Sequence, residues 1–126
     1  MKNSHGEQVF ILIIENEVGK MDAVHRSLQK AGYEHGFAKS REDAIKIMVT
    51  KLYDVIIMDY TMPGMTGEDF QKVIGVNDSK VKIIFTFPKI GISPEINIKD
   101  CKWLGVPFDN GELLHLIQNG AQHNGF

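Results

Sequence analysis

Hydrophobic residues fall into two patterns along this chain. VFILII at 9–14, YDVIIM at 53–58 and VKIIFTF at 81–87 are nearly continuous apolar runs rich in β-branched residues, the pattern of strands covered on both faces. Between them the apolar period lengthens. Val18, Met21, Val24, Leu28 and Ala31 predict an amphipathic helix over 18–31, with Gly32 as its stop. A weaker strand is expected at about 33–39. Ser40 and Asp43 resemble a capping box opening a second helix that turns Ala44, Ile45, Met48 and Leu52 inward and ends near Leu52. GEDFQKVIG at 67–75 predicts a third helix, CKWLGV at 101–106 a short last strand, and Asp109 caps a final helix with Leu113, Leu116 and Ile117 inward. Residues 88–100 fit neither period: Ile90, Ile92, Ile96 and Ile98 suit extended chain, while Ser93, Pro94 and Glu95 allow a short helix from about Pro94. Alternating strands and helices imply right-handed crossovers and a doubly wound parallel sheet.

The 126 residues are expected to form one domain with a core over about 9–119 and tails at 1–8 and 120–126. A composition of 43% hydrophobic and 24% charged residues with net charge -2 carries no polybasic run, so nucleic-acid binding through bulk charge is not expected. Cys101 is the only cysteine, which excludes an intrachain disulfide and suits a reducing compartment; it reads as a small buried apolar residue. No apolar run approaches the ~18 residues of a membrane span, so a cytoplasmic location is expected. His5, His25, His35, His115 and His123 show no ligand spacing and read as surface or interface positions.

Chemistry in an open parallel sheet gathers outside the carboxyl ends of the strands. Here those ends carry Glu15, Asn16 and Glu17 after the first strand, Asp59 after the third and Thr86 in the fourth. An oxygen-only cluster of this kind favours magnesium over zinc. With ILIIENE, DVIIMDYTMPGMTGEDF, IIFTF and the late PF at 107–108, the chain resembles a response-regulator receiver domain of two-component signalling from Val9 to about Asn119. The central motif is the most specific, because Asp59, Met62, Pro63, Gly64 and Gly67 fall at the family's spacing.

The resemblance implies a flavodoxin-like five-stranded sheet in the order 2-1-3-4-5, with a short or irregular fourth helix. It makes Asp59 the acceptor of a phosphoryl group from a histidine kinase or phosphotransfer protein, Thr86 the switch hydroxyl and Trp103 the aromatic switch position. Magnesium would be held by Glu15, Asn16, Asp59 and the backbone carbonyl of Thr61. The output would be a downstream protein target, or a homodimer, engaged through the fourth helix, last strand and fifth helix, without direct nucleic-acid or membrane contact. Such a module is a phosphoacceptor and at most self-dephosphorylating, not a dedicated enzyme. The family's habit also implies a cis bond between Val106 and Pro107.

Three positions depart from the family pattern. Val106 stands where a lysine usually pairs with the phosphoryl group, Asn16 where a second aspartate usually binds metal, and Phe87 where a small residue usually leaves access. Lys89 and Lys102 are nearby in sequence. These departures keep a second reading open, a pseudo-receiver whose partner and not phosphate sets its conformation. A flavin- or phosphoester-binding enzyme on the same sheet is disfavoured, because no phosphate-cradling loop follows the first strand and no second aspartate lies two residues after Asp59.

Overall fold

In the computed structural model, which describes residues 8–17, 19–77, 81–90 and 101–119, the apolar runs are parallel strands. The elements in chain order are β1 (Ile11–Ile14), α1 (Asp22–Lys30), β2 (His35–Ala38), α2 (Arg41–Thr50), β3 (Val55–Asp59), α3 (Gly67–Asn77), β4 (Lys82–Pro88), β5 (Cys101–Val106) and α4 (Asn110–Asn119). All strand pairs are parallel, in the order β2-β1-β3-β4-β5, as expected. Residues 91–100, where a short or irregular helix was expected, lie outside the described residues. No helix among the described residues is long and apolar enough to cross a membrane.

Alternation along the central strands divides the interior in two. Leu12, Ile14, Ile56, Met58, Ile83 and Phe85 pack with Ala44 of α2 and Phe70 and Ile74 of α3. Ile11, Ile13, Val55, Ile57 and Ile84 pack on the other face with Val24 and Leu28 of α1 and Leu113 and Ile117 of α4. The Ser27 hydroxyl, 2.8 Å from Asn110 Oδ1, ties α1 to α4. Cys101 is only partly buried, packed against the first of these clusters.

The ends of the helices follow capping chemistry. The Ser40 hydroxyl accepts the Asp43 N–H at 3.0 Å, and Asp109 and Glu112 exchange reciprocal bonds at 2.9 and 3.1 Å to open α4. At the end of α1, the Tyr33 and Gly32 N–H groups bond the Leu28 and Gln29 carbonyls at 2.9 and 3.1 Å. Gly32 has φ +83 there, the left-handed turn for which glycine carries no steric penalty.

Two boundaries differ from the periodic pattern. Helix α1 begins at Asp22, four positions after the predicted start, because Gly19 at φ +90 reverses the chain and the Met21 N–H is drawn to Glu15. Val18 lies outside the described residues. Helix α2 ends at Thr50, with Lys51 already extended. Leu52 therefore leaves the helical phase and is 75% exposed, where it was expected inward.

One charged residue sits deep at the start of β4. Lys82 is 6% exposed, and its ammonium donates to the carbonyls of Leu116 and of Ile117, the latter at 3.0 Å. These belong to the last turn of α4, where carbonyls lack helical partners and a cation is favoured.

Candidate functional site

Parallel register sets the Asp59 backbone opposite Thr86 in β4, and Thr86 opposite Leu104 in β5. Asp59 is the last residue of the central strand and 5% exposed. Each of its carboxylate oxygens has a partner. Oδ1 accepts the N–H and the hydroxyl of Thr61, both at 2.8 Å, an Asx-type turn that fixes the carboxylate plane. Oδ2 accepts the ammonium of Lys20 at 2.6 Å. Burial alone would raise the Asp59 pKa, but the Lys20 bond and then the two Thr61 donors outweigh it and hold the carboxyl below its ordinary value. Reciprocally, the bond to Asp59 raises Lys20 against partial desolvation. The ion pair is fully charged at neutral pH.

The backbone after Asp59 is held from below by Arg41, the first residue of α2 and 1% exposed. Its guanidinium donates to the carbonyls of Asp59 at 3.0 Å, Tyr60 at 3.4 Å and Met65, and Nε lies 3.2 Å from Met58 Sδ. Desolvation lowers its pKa, opposed by Asp59 and by Glu42 and Glu68. A cation at a helix N-terminus opposes the helix dipole. These loop carbonyls supply the compensating negative charge.

Glu15, expected among the metal ligands, is buried at the end of β1, with its N–H bonded to the Ala38 carbonyl at 3.0 Å. Its Oε2 accepts the Met21 N–H at 3.2 Å, and Oε1 lies 3.2 Å from His25 Nε2. His25 Nδ1 is 3.0 Å from His35 Nε2, whose Nδ1 lies 3.3 Å from the Tyr33 carbonyl. A carbonyl and a carboxylate both accept, so this chain is complete when the two rings hold three protons between them. His25 and His35, expected at surface or interface positions, are each half-buried and joined to one another. His5 and His123 lie outside the described residues.

Asn16 and Glu17 are exposed. The Thr86 hydroxyl donates to the Met58 carbonyl at 3.4 Å, a long bond. Trp103, half-buried in β5, packs edge-on to Tyr60 with ring centroids 5.0 Å apart and lies 5.2 Å from Phe85 and 6.2 Å from Phe87. This aromatic group connects the residue after Asp59 to the last strand. A cavity of about 260 Å³ is lined by Lys20, Asp59, Thr61 and Thr86 together with Phe87 and Val106. The Val106–Pro107 peptide bond is cis, as expected. Lys89 points to Glu112 at 3.9 Å, and Lys102 acts electrostatically on Lys82; the cation at Asp59 is Lys20.

Magnesium needs several oxygens converging in an octahedral array, and with Lys20 seated on Asp59 and Glu15 turned toward α1 the donors are not gathered into one. No group of three or more His, Cys, Asp or Glu side chains among the described residues is placed to hold a metal ion. Both Glu15 oxygens are engaged toward α1, and Lys20 stands on the Asp59 oxygen left open by Thr61.

Lys20, Arg41 and His25 carried no signal in the sequence. A lysine in a polar turn and an arginine opening a helix are ordinarily solvated, and a histidine without ligand spacing gives no local cue to its partner.

The fold agrees with comparisons to known proteins. Residues 11–89 match the response regulator receiver domain family. The transcriptional regulatory protein DltR of Streptococcus agalactiae is 26% identical over 111 residues, covering 86% of this chain and 50% of DltR. The chain spans about half or less of the curated transcriptional regulators it matches. Among solved structures, the chemotaxis protein CheY4 of Vibrio cholerae superposes with a TM-score of 0.72 at 28% identity, over 85% of this chain and 93% of that one. The response regulator TrrA of Thermotoga maritima, solved in complex with Mg2+-BeF, gives a TM-score of 0.72 at 25% identity over 85% of this chain and 94% of that one. The chain belongs to the response regulator receiver domain family, the phosphorylation-dependent switch of two-component signalling.

Proposed function

We propose that Asp59 receives a phosphoryl group from a histidine kinase or phosphotransfer protein, and that Thr86 and Trp103 pass the change to a protein-binding surface. The carrying observation is the Asp59 carboxylate itself: buried, ionised, clamped through Oδ1 by Thr61, paired through Oδ2 with Lys20 and lining a cavity. A carboxylate is a weak nucleophile, and positioning plus a nearby positive charge are what a phosphoryl transfer requires of its surroundings. Thr86 lies level with Asp59, close enough along the strand ends for its hydroxyl to exchange the Met58 carbonyl for a phosphoryl oxygen. Trp103 would follow through its packing against Tyr60 and Phe85.

The functional unit is the domain over about residues 9–119, acting in the cytoplasm as a signalling module and not as a turnover enzyme. Glu15, Asn16, Asp59 and the Thr61 carbonyl are assigned only a weak magnesium affinity, since a cation there must displace Lys20. The output surface is placed on β5 and α4 with the segment between β4 and β5, and its occupant is a protein target or a second copy of the chain. Direct contact with nucleic acid or membrane is not part of the proposal.

Incubation with acetyl phosphate, read by intact mass, is expected to add one phosphoryl group that Asp59→Asn does not acquire. No mass gain, with or without magnesium, would overturn the phosphoacceptor reading in favour of a partner-set interaction module. Val106→Lys is a second test, because it places an ammonium in the cavity wall that also holds Asp59 and Thr86. One added charge-assisted contact should raise the phosphorylated fraction at limiting phosphodonor by about tenfold. An unchanged fraction would mean that a side chain at 106 does not reach the phosphoryl group.

A further inference from the structure

The turn between β1 and α1 delivers a cation to Asp59. The Asp22 N–H closes on the Gly19 carbonyl at 3.2 Å and the Lys20 N–H on the Glu17 carbonyl at 3.3 Å. This compact turn brings the Lys20 ammonium to 2.6 Å from Asp59 Oδ2 and 3.9 Å from Glu17. Thr61 saturates Oδ1, so Oδ2 is the oxygen available for attack, and Lys20 is its charged neighbour. Val106, which lines the same cavity, offers no charge, and the Glu15 carboxylate that would help to hold a divalent ion is engaged with Met21 and His25. At 38% exposure the Lys20 side chain can shift with an incoming group while keeping its head over the carboxylate.

We infer that Lys20 is the cation of phosphoryl transfer in this receiver: it holds Asp59 Oδ2 before transfer and the phosphoryl oxygens after it, in the position a divalent ion would otherwise occupy. The inference rests on Asp59 being the phosphoacceptor. In the step, Oδ2 attacks phosphorus and an O–P bond forms. The bond from phosphorus to the donor, P–O in acetyl phosphate or P–N in a phosphohistidine, breaks with its electron pair leaving on the donor atom. Lys20 keeps its protons throughout and acts by charge and hydrogen bonding. A divalent cation and the ammonium then compete for one oxygen.

The test compares wild type, Lys20→Met and Lys20→Arg with acetyl phosphate, in chelator and in magnesium, by intact mass, and separately measures magnesium binding to each unphosphorylated protein by calorimetry. Wild type should be phosphorylated in chelator, Lys20→Met should lose this by about tenfold or more, and Lys20→Arg should retain most of it. Lys20→Met should also bind magnesium about tenfold more tightly, since the competitor is gone. Wild type that reacts only with magnesium, a methionine variant equal to wild type in chelator, or an unmoved magnesium affinity would each overturn the role of Lys20. A mass gain on Asp59 in magnesium would still leave the phosphoacceptor reading standing. Absence of any mass gain in all three proteins under both conditions would overturn both.

Discussion

Arg41→Met should destabilise the protein by about 3–5 kcal/mol, the range for stripping one partner from a buried, hydrogen-bonded charge arrangement. The guanidinium satisfies three loop carbonyls at once. Methionine fills much of its volume but donates nothing: the Asp59 carbonyl keeps the Met62 N–H, while the part-buried Tyr60 and Met65 carbonyls lose their charged donor, and a carbonyl that finds no other partner costs about 1–3 kcal/mol. Lysine would preserve the charge without the planar fork, so Arg41→Lys should recover only part of the loss. Because the same loop positions Thr61, the methionine variant should also accept phosphoryl groups more slowly. Urea unfolding checks the first effect, with a change under about 0.5 kcal/mol refuting the anchoring role, and intact mass checks the second.

The next largest effect is a pH dependence at the opposite end of the sheet. Burial, with a smaller contribution from Lys102, lowers the Lys82 pKa from 10.5 to about 8. The unfolded chain therefore binds more protons at this residue between about pH 8 and 10.5, and unfolding free energy rises with pH across that window. Below about pH 8 the folded protein carries the full desolvation penalty; above 10.5 it carries none. Relative to Lys82→Met, which has no such titration, wild type should gain up to about 3 kcal/mol between these limits. Parallel stability profiles from urea unfolding at several pH values would show that the helix carbonyls fully replace water for this ammonium.

Much of the architecture was readable from periodicity because buried parallel strands need apolar residues on both faces, and those runs have few other uses in a chain this short. The Asp59 motif was equally legible, since a strand ending on a carboxylate followed by a proline-glycine turn constrains both backbone and side chain. What escaped was long-range and polar. Lys20 meets Asp59 across 39 residues and Arg41 meets Met65 across 24, and no local pattern encodes such encounters. The shift in the start of α1 has the same origin. A buried Glu15 needs a donor, takes the Met21 N–H, and holds back a helix that the apolar spacing alone would have begun earlier.

The hydroxyl of Thr86 is held only by a 3.4 Å bond to the Met58 carbonyl. So long a bond contributes little, and turning away from it forfeits little. In the proposed switch, a phosphoryl oxygen above Asp59 would therefore draw this hydroxyl away at little cost from the bond it leaves. Signal gain in a relay of the proposed kind depends less on how strongly the resting contact is made than on how cheaply it is abandoned, and the resting contact of this threonine is a weak one.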